Sequence, residues 1–395
     1  MSIYGFYRRV LVVALLAAVA PHAEASKKLQ IDDTKWISIG AGIKSSFTRQ
    51  ESGAGNGSSS NTFAVNNARL YFNGQIAKHI KLEFNTECAF CGSASNGRFV
   101  LLDAIVKFEF SPYLNIWGGR LLVPADRVEL SGPFYSNTFS YDRTPYYPSD
   151  YSTHFGTGGA GVYARDHGAV VWGAITPNKR MTYSVGVFSG MQGGPNQTGS
   201  VLVAGRFSYN FWNIEKDPGY YTSNTYYGAE GDILTLAVDG QHQRHGAGTA
   251  ANPADFTGYN VDGLLEKVLP NDGVFTVQAE YKHFNTGLNK AALSDKDCFC
   301  MFDGDAYSAT VLYLMPKHVG VGRFQPYVRF TKNNPSNSSS RKEYEAGINY
   351  IIDGHNAMVS LLYEYGDIAT KGLNYTPSAS GGKVNKVMLG AQLQI

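Results

Sequence analysis

Ala68-Arg69-Leu70-Tyr71-Phe72-Asn73-Gly74-Gln75-Ile76 is followed by the tight gap Ala77–Ile80 and then by Lys81-Leu82-Glu83-Phe84-Asn85-Thr86-Glu87. In the first run Ala68, Leu70, Phe72, Gly74 and Ile76 fall on one face and Arg69, Tyr71, Asn73 and Gln75 on the other. A helical period of 3.6 would scatter these apolar residues around the cylinder, so the run is a strand with one apolar and one polar side. Two such runs separated by a tight gap make an antiparallel hairpin. The gap before them, Glu51–Asn61, is longer and rich in Gly, Ser and Asn.

Outward from this hairpin the same grammar repeats. Phe275, Val277, Ala279 and Tyr281 alternate with Thr276, Gln278 and Glu280. At the end of the chain Val387, Leu389, Ala391, Leu393 and Ile395 alternate with Lys386, Met388, Gly390, Gln392 and Gln394. About sixteen such segments fill the chain from Trp36 to Ile395, and the gaps after odd-numbered segments are long, such as Pro124–Ala160 and Ile368–Gly382, whereas those after even-numbered ones are mostly tight, such as Ser111–Tyr113 and Asp353–Asn356. A chain that crosses a membrane repeatedly sorts its connections by parity, because odd gaps face one side and even gaps the other; a soluble sandwich has no reason to do so. Several segments also reach the ~10 residues that a tilted membrane strand requires. The expected fold is all-β, a transmembrane antiparallel up-and-down barrel of sixteen strands with both termini and the even gaps periplasmic and the odd gaps extracellular. Asn213–Gly231 breaks the short-turn rule and reads as an extended periplasmic turn.

The first residues agree. Arg8 and Arg9, the apolar run Val10–Ala20 and Ala23-Glu24-Ala25 make a secretory signal over residues 1–25, leaving 26–395 as the barrel. An N-terminal membrane helix is the alternative, but the apolar run is too short to span comfortably. The mixture of 44 Gly, 26 Tyr and 22 Phe with only 17% charged residues suits lipid-facing residues alternating with lumen-facing ones, and aromatic belts at both interfaces. A net charge of +2 excludes the basic footprint of a nucleic-acid binder. The expected location is the outer membrane of a Gram-negative bacterium, in contact with its lipid.

Several stretches resemble the phosphate-selective porin O and P family. They are Leu102-Asp103-Ala104 leading to Gly119-Arg120-Leu121-Leu122-Val123-Pro124, Arg165-Asp166-His167-Gly168, Tyr183–Gly190, Gly205-Arg206-Phe207, and Gly347-Ile348-Asn349-Tyr350 followed by Asp353-Gly354-His355-Asn356-Ala357. They recur in family order across most of the mature chain. The resemblance implies a sixteen-stranded barrel, usually a homotrimer, whose third extracellular loop folds inward as a constriction. The longest odd gap, 124–160, stands where that loop belongs. Phosphate-preferring relatives line their pores with arginine and lysine, but this loop sets Arg127 and Arg143 against Asp126, Glu129, Asp142 and Asp150 and has no lysine. Tyr135, Tyr141, Tyr146, Tyr147 and Tyr151 dominate its bulk and read as packing against the barrel wall rather than as a stacking platform.

The implied chemistry is passive diffusion of small hydrophilic solutes or ions through a water-filled lumen, needing no cofactor. Period-two phasing points Arg69, Arg165, Arg206 and Arg329 inward, with Glu83, Asp103, Lys107, Glu280 and Glu364. Arg120 is placed inward by the resemblance more than by local phase. A charge facing lipid at mid-membrane costs roughly 2–4 kcal/mol for Arg or Lys, which is the physical reason for the inward assignment. Each arginine taken alone could simply pair across strands; the set, with Arg outnumbering Lys at mid-strand, implies a modest preference for small anions.

Cys88 and Cys91 fall in the second odd gap and Cys298 and Cys300 in the sixth, so both pairs belong outside the cell, where disulfides form. Three pairings are possible. A bridge within Cys298–Cys300 would close a very tight ring, which favours pairing between loops if the loops meet. A four-thiolate metal site is the rival and ranks behind disulfides. Neither pair is followed by His, so no haem attachment is expected. An outer-membrane hydrolase is a second functional class, but there is no G-x-S-x-G, and the histidines form no H-E-x-x-H pattern. A barrel sheathing a separate cytochrome in an electron-transfer complex is a third, and would require a partner that supplies the haem.

Overall fold

In the computed structural model the alternating runs close into a wall. The structure describes residues 27–89, 98–141, 165–216, 219–287, 303–336, 338–371 and 381–395. The first eight long strands are β1 (Trp36–Gln50), β2 (Ser60–Ala77), β3 (Ile80–Ala89), β4 (Arg98–Glu109), β5 (Asn115–Leu122), β6 (Arg165–Ala174), β7 (Met181–Phe188) and β8 (Leu202–Asn210). The second eight are β9 (Ile233–Gly248), β10 (Pro253–Val268), β11 (Val274–Asn285), β12 (Gly304–Leu314), β13 (Gly322–Pro335), β14 (Arg341–Asp353), β15 (Ala357–Gly366) and β16 (Val384–Gln394). Each pairs antiparallel with the next, and β16 returns to β1 from Lys386↔Gln50 to Gln394↔Gly42. Closure leaves no edge and satisfies the backbone groups that lipid cannot. Below the C-terminus the short strand Lys27–Gln30 continues the same seam, pairing Lys27 with Ile39 and Gln30 with Trp36.

The barrel is inside-out relative to a soluble protein. Leu70, Phe72, Ile76, Val185, Val187, Val203, Leu389 and Leu393 are exposed on the outer wall, while Arg69, Asp103, Lys107, Arg206, Glu266, Lys282 and Arg329 are buried within. This arrangement is stable only where hydrocarbon surrounds the outside and the inside is polar, so the chain is an outer-membrane barrel. Residues 1–25, Cys91, Asp142, Arg143, Asp150, Cys298 and Cys300 lie outside the described residues. Cys88, at the end of β3, is buried and disulfide-bonded.

Two expectations from the sequence change in detail. The odd gap between the ninth and tenth segments is short, because β9 and β10 run past the expected ends at Arg244 and Tyr259 to a hairpin between Gly248 and Pro253. The alternation also slips in several strands, and two of these slips bear on the inward residues. In β4, Leu102 is an extra residue between the pairs Asn85↔Asp103 and Thr86↔Leu101, so the inward face restarts at Asp103. In β5, Trp117 faces inward, and a strict two-residue period would then turn Arg120 outward. Gly119 adopts φ +133 and resets the phase; a Cβ there would stand 2.0 Å from the Ala104 carbonyl oxygen. Only glycine tolerates that geometry, and it is what turns Arg120 into the lumen.

Two segments leave the wall and enter the lumen. The first follows β5. It turns through the short helix α1 (Arg127–Ser131), whose start is capped by the Asp126 carboxylate accepting from the Glu129 amide at 3.1 Å, and its residues up to Ser140 are almost all buried. The second joins β8 to β9, on the side of the short turns and of both chain ends, which is the periplasmic side in such barrels. Here Tyr220, Ser223, Asn224 and Thr225 are buried. The extended periplasmic turn read from the sequence is therefore not a turn hanging in the periplasm but an inward fold.

Candidate functional site

The third loop is held across the lumen by side chains from the opposite wall. Lys44 of β1 donates from Nζ to the carbonyls of Pro133 at 2.8 Å and Phe139 at 2.9 Å. Gln392 of β16 donates to the Phe134 carbonyl at 2.9 Å and Asn349 of β14 to the Asn137 carbonyl at 3.2 Å. The Ser140 hydroxyl donates to Glu364 of β15 at 2.8 Å. Glycines make room for the loop's rings: a Cβ on Gly42 would meet Phe134 at 2.8 Å and one on Gly390 would meet Phe139 at 2.5 Å. The rings of Phe134 and Phe139 thus pack against the wall; of the tyrosines read from the sequence as packing, Tyr135 is exposed beside His355, Tyr141 donates to the Val128 carbonyl at 2.6 Å, and Tyr146, Tyr147 and Tyr151 lie outside the described residues.

The five arginines share the inward side but not one task. Arg206 binds both Asp262 oxygens and donates to the Ala125 carbonyl at 3.0 Å. Arg329 donates to the Thr138 hydroxyl at 2.8 Å and the Ser140 carbonyl at 2.7 Å, while holding Glu345 at 2.6 Å. Both are anchors for the two ends of the inward loop. Arg165 pairs with Asp103 at 2.8 Å, and Arg69 pairs with Glu87 at 2.5 Å and lies under the Phe134 ring. Arg69, Arg120 and Arg165 belong to β2, β5 and β6, on the stretch of wall where Asn67, Asn73, Gln75 and Asn85 remain half-exposed. On the other wall Thr276, Gln278, Thr310, Gln325, Asn349 and Ser360 are buried, because loop and turn cover them. The half-exposed polar wall is that of β2 and β3.

Asp126 and Arg127 are both consumed by the loop's own docking. Asp126 lies 3.1 Å from Lys282 of β11. Burial alone would raise its carboxyl, but Lys282 and the amide of Glu129 outweigh that and hold it below the ordinary carboxylate range. Arg127 reaches down to the periplasmic segment. Its Nη1 and Nη2 hold Glu215 in a bidentate pair, 2.7 Å for each contact, and Nη1 also donates to the Ser223 carbonyl at 2.7 Å.

The periplasmic segment meets the loop along its length. Thr222 Oγ1 donates to the Arg127 carbonyl at 2.7 Å, and the Asn224 amide donates to the Tyr135 carbonyl at 3.1 Å. Tyr220 donates to the Leu122 carbonyl at 2.5 Å, and its ring joins those of Tyr221, Trp117 and Trp172. At the far side Thr225 and the amides of Tyr226 and Gly228 converge on Glu266 of β10. His355, in the turn between β14 and β15, approaches the Thr225 carbonyl at 2.9 Å between the rings of Tyr135 and Tyr227. Burial pushes its imidazole down to about 4, so it is neutral at pH 7. A cavity of about 250 Å³ remains between this segment and β6 to β8, bordered by Trp172, Ser184, Arg206, Arg127, Glu215 and Thr222.

Lys44, Glu215, Asp262 and Lys282 were not singled out from the sequence. The one usable signal was the anomalous length of the even gap 213–231; nothing local marks which wall residue will meet it.

No protein-family model matches the chain, and no curated protein matches it in sequence. Solved structures share the fold. An anion-selective porin from Comamonas acidovorans superposes with a TM-score of 0.58 at 13% identity, over 91% of this chain and 100% of that one. The OmpF of Salmonella typhi, in complex with daunomycin, does so at 0.55 and 13%, over 93% and 100%. The in-vitro folded OmpT of Vibrio cholerae in its trimer form does so at 0.53 and 12%, over 92% and 100%. At such identities the likeness is one of fold, that of the outer-membrane porins.

Proposed function

We propose that this chain is a porin that passes small hydrophilic solutes or ions by diffusion, with its width set by the inward third loop. The observation that carries the reading is a closed barrel, apolar outside and polar inside, whose longest loop lies across its own lumen on buried anchors. Arg69, Arg120 and Arg165, inward on β2, β5 and β6, supply a modest anion preference, tempered by the pairing of Arg69 with Glu87 and of Arg165 with Asp103. The anion-selective porin among the fold neighbours is in keeping with this. The ordered motifs resemble those of the phosphate-selective porin O and P family and support membership of it as part of this reading. Phosphate preference itself is not part of the proposal, because Arg127 is neutralised by Glu215, and Asp126 and Glu129 accompany it. A homotrimer is the assembly proposed, as in the trimer form of one fold neighbour.

Among the described residues no observation favours a hydrolase, and a sheath around a cytochrome is disfavoured because the chain's own segments enter the interior. Reversal potentials across a planar bilayer in a salt gradient test the reading, with phosphate against chloride as the anion. Mild anion preference is expected; clear cation preference, or no conductance at all, would overturn it. Arg127→Ala should widen the path and raise conductance.

A further inference from the structure

Loop three is one half of a junction. The other half, residues 213–231, comes from the opposite side of the membrane and brings the Glu215 carboxylate inside the barrel beside the end of β8, where the Glu215 amide donates to Asn210 Oδ1 at 3.3 Å. Its root is ordinary: the Asn213 amide donates to the Asp232 carbonyl and the Gly231 amide to the Gly228 carbonyl, while Lys216 pairs with Glu230 near the mouth. Beyond that root the chain climbs along β5 until Tyr220 reaches Leu122, at the far end of that strand. A turn built only to link two strands has no reason to travel so far.

Among the described residues, Glu215 is the charge that the segment brings to Arg127, since Lys216 and Glu230 pair with each other. It takes both terminal nitrogens of Arg127 and also the Tyr226 hydroxyl at 2.8 Å. Burial by itself would raise its carboxyl, but Arg127 and these hydrogen bonds keep it ionised. Together Glu215, Arg127 and Arg206 border the cavity on the periplasmic side of the loop, so their summed charge is felt by any ion there. Arg206 is already answered by Asp262 and Asp239. Arg127 has a further carboxylate, that of Asp262, 3.5 Å from Nε, but that one is shared with Arg206. The balance at the junction therefore turns on Glu215.

We propose that residues 213–231 form a second constriction in series with loop three, and that Glu215 is a selectivity-determining residue which cancels Arg127 and keeps the pore only mildly anion-preferring. This rests on the porin reading above. Unequal charge in a narrow, poorly screened stretch biases which ion enters it, whereas a paired charge does not.

The test is reversal potential and single-channel conductance in planar bilayers under a potassium chloride gradient, for the wild type and three variants. Glu215→Gln keeps the shape but leaves Arg127 unanswered, and should raise the anion-to-cation permeability ratio at least about two-fold. Arg127→Met combined with Glu215→Gln removes both charges, and should return the ratio to the wild-type value while conductance rises, because the latch is gone. Glu230→Gln, on the root of the same segment, should change neither. An unchanged ratio in Glu215→Gln, in a channel that otherwise conducts like the wild type, would overturn the proposal. The double variant carries the same test if the single one fails to insert: wild-type conductance in it would refute a second constriction. Absence of conductance in every form, wild type included, would instead sink the porin reading beneath it.

Discussion

Lys44→Met tests how the third loop is kept in the lumen. The Lys44 ammonium is 1% exposed and makes two hydrogen bonds to loop carbonyls, at 2.8 and 2.9 Å, six residues apart in the loop at Pro133 and Phe139. A hydrogen bond to a charged group contributes about 1.5–3 kcal/mol, so the pair contributes about 3 kcal/mol at the low end. Methionine has a similar length and fills the site, but offers neither donor, leaving two carbonyls without their buried partner. At about 1.4 kcal/mol per decade, the loop's detached state becomes about a hundred-fold more populated. The barrel itself should hold, because the ladders from β1 to β2 and β16 use backbone groups that the substitution does not touch. Hydrogen exchange followed by mass spectrometry should show faster exchange over 128–140 and unchanged protection in β1, and single-channel records should show larger and noisier conductance. Wild-type exchange in the loop would refute the view that side-chain anchors, rather than the loop's own packing, hold it in place.

Three further outcomes follow from the same contacts. His355 is packed neutral against Thr225, Ser223, Tyr135 and Tyr227, with Lys44 the nearby cation, and its imidazole sits at about 4 instead of 6.5. Its depressed value means that stability is present above pH 6.5 and is lost as pH falls toward 4, by about 3 kcal/mol in all. Exchange over 219–229 should therefore accelerate across that range, and His355→Gln should flatten the response. Gly390→Ala drives a methyl to 2.5 Å from the Phe139 ring and should cost the loop's docking about 1–3 kcal/mol, read as raised conductance with the barrel's heat-modifiable migration on gels retained. In the denatured chain, a thiol-alkylating reagent should label Cys88 only after reduction.

Much of the barrel is legible in the sequence because a strand's period of two is local: Leu70 faces lipid and Arg69 the lumen whatever the rest of the chain does. Parity of gap lengths extends that local rule to the whole topology, including closure of β16 on β1. It fails where one residue resets the phase, as at Leu102 and Gly119, since a bulge or a positive φ leaves no mark on hydrophobicity. The candidate site is less legible. Four inward arginines can be chosen from their neighbours and Arg120 from the resemblance, yet only the tertiary structure separates Arg206 and Arg329, spent on anchoring the loop, from Arg69 and Arg165, which pair with Glu87 and Asp103 on the wall. Ser140 meets Glu364 across 224 residues and Arg127 meets Glu215 across 88. Alternation decides which side of the wall a residue takes; what it meets inside is decided by segments that enter the lumen from both ends, because their contacts are long-range and have no period to betray them.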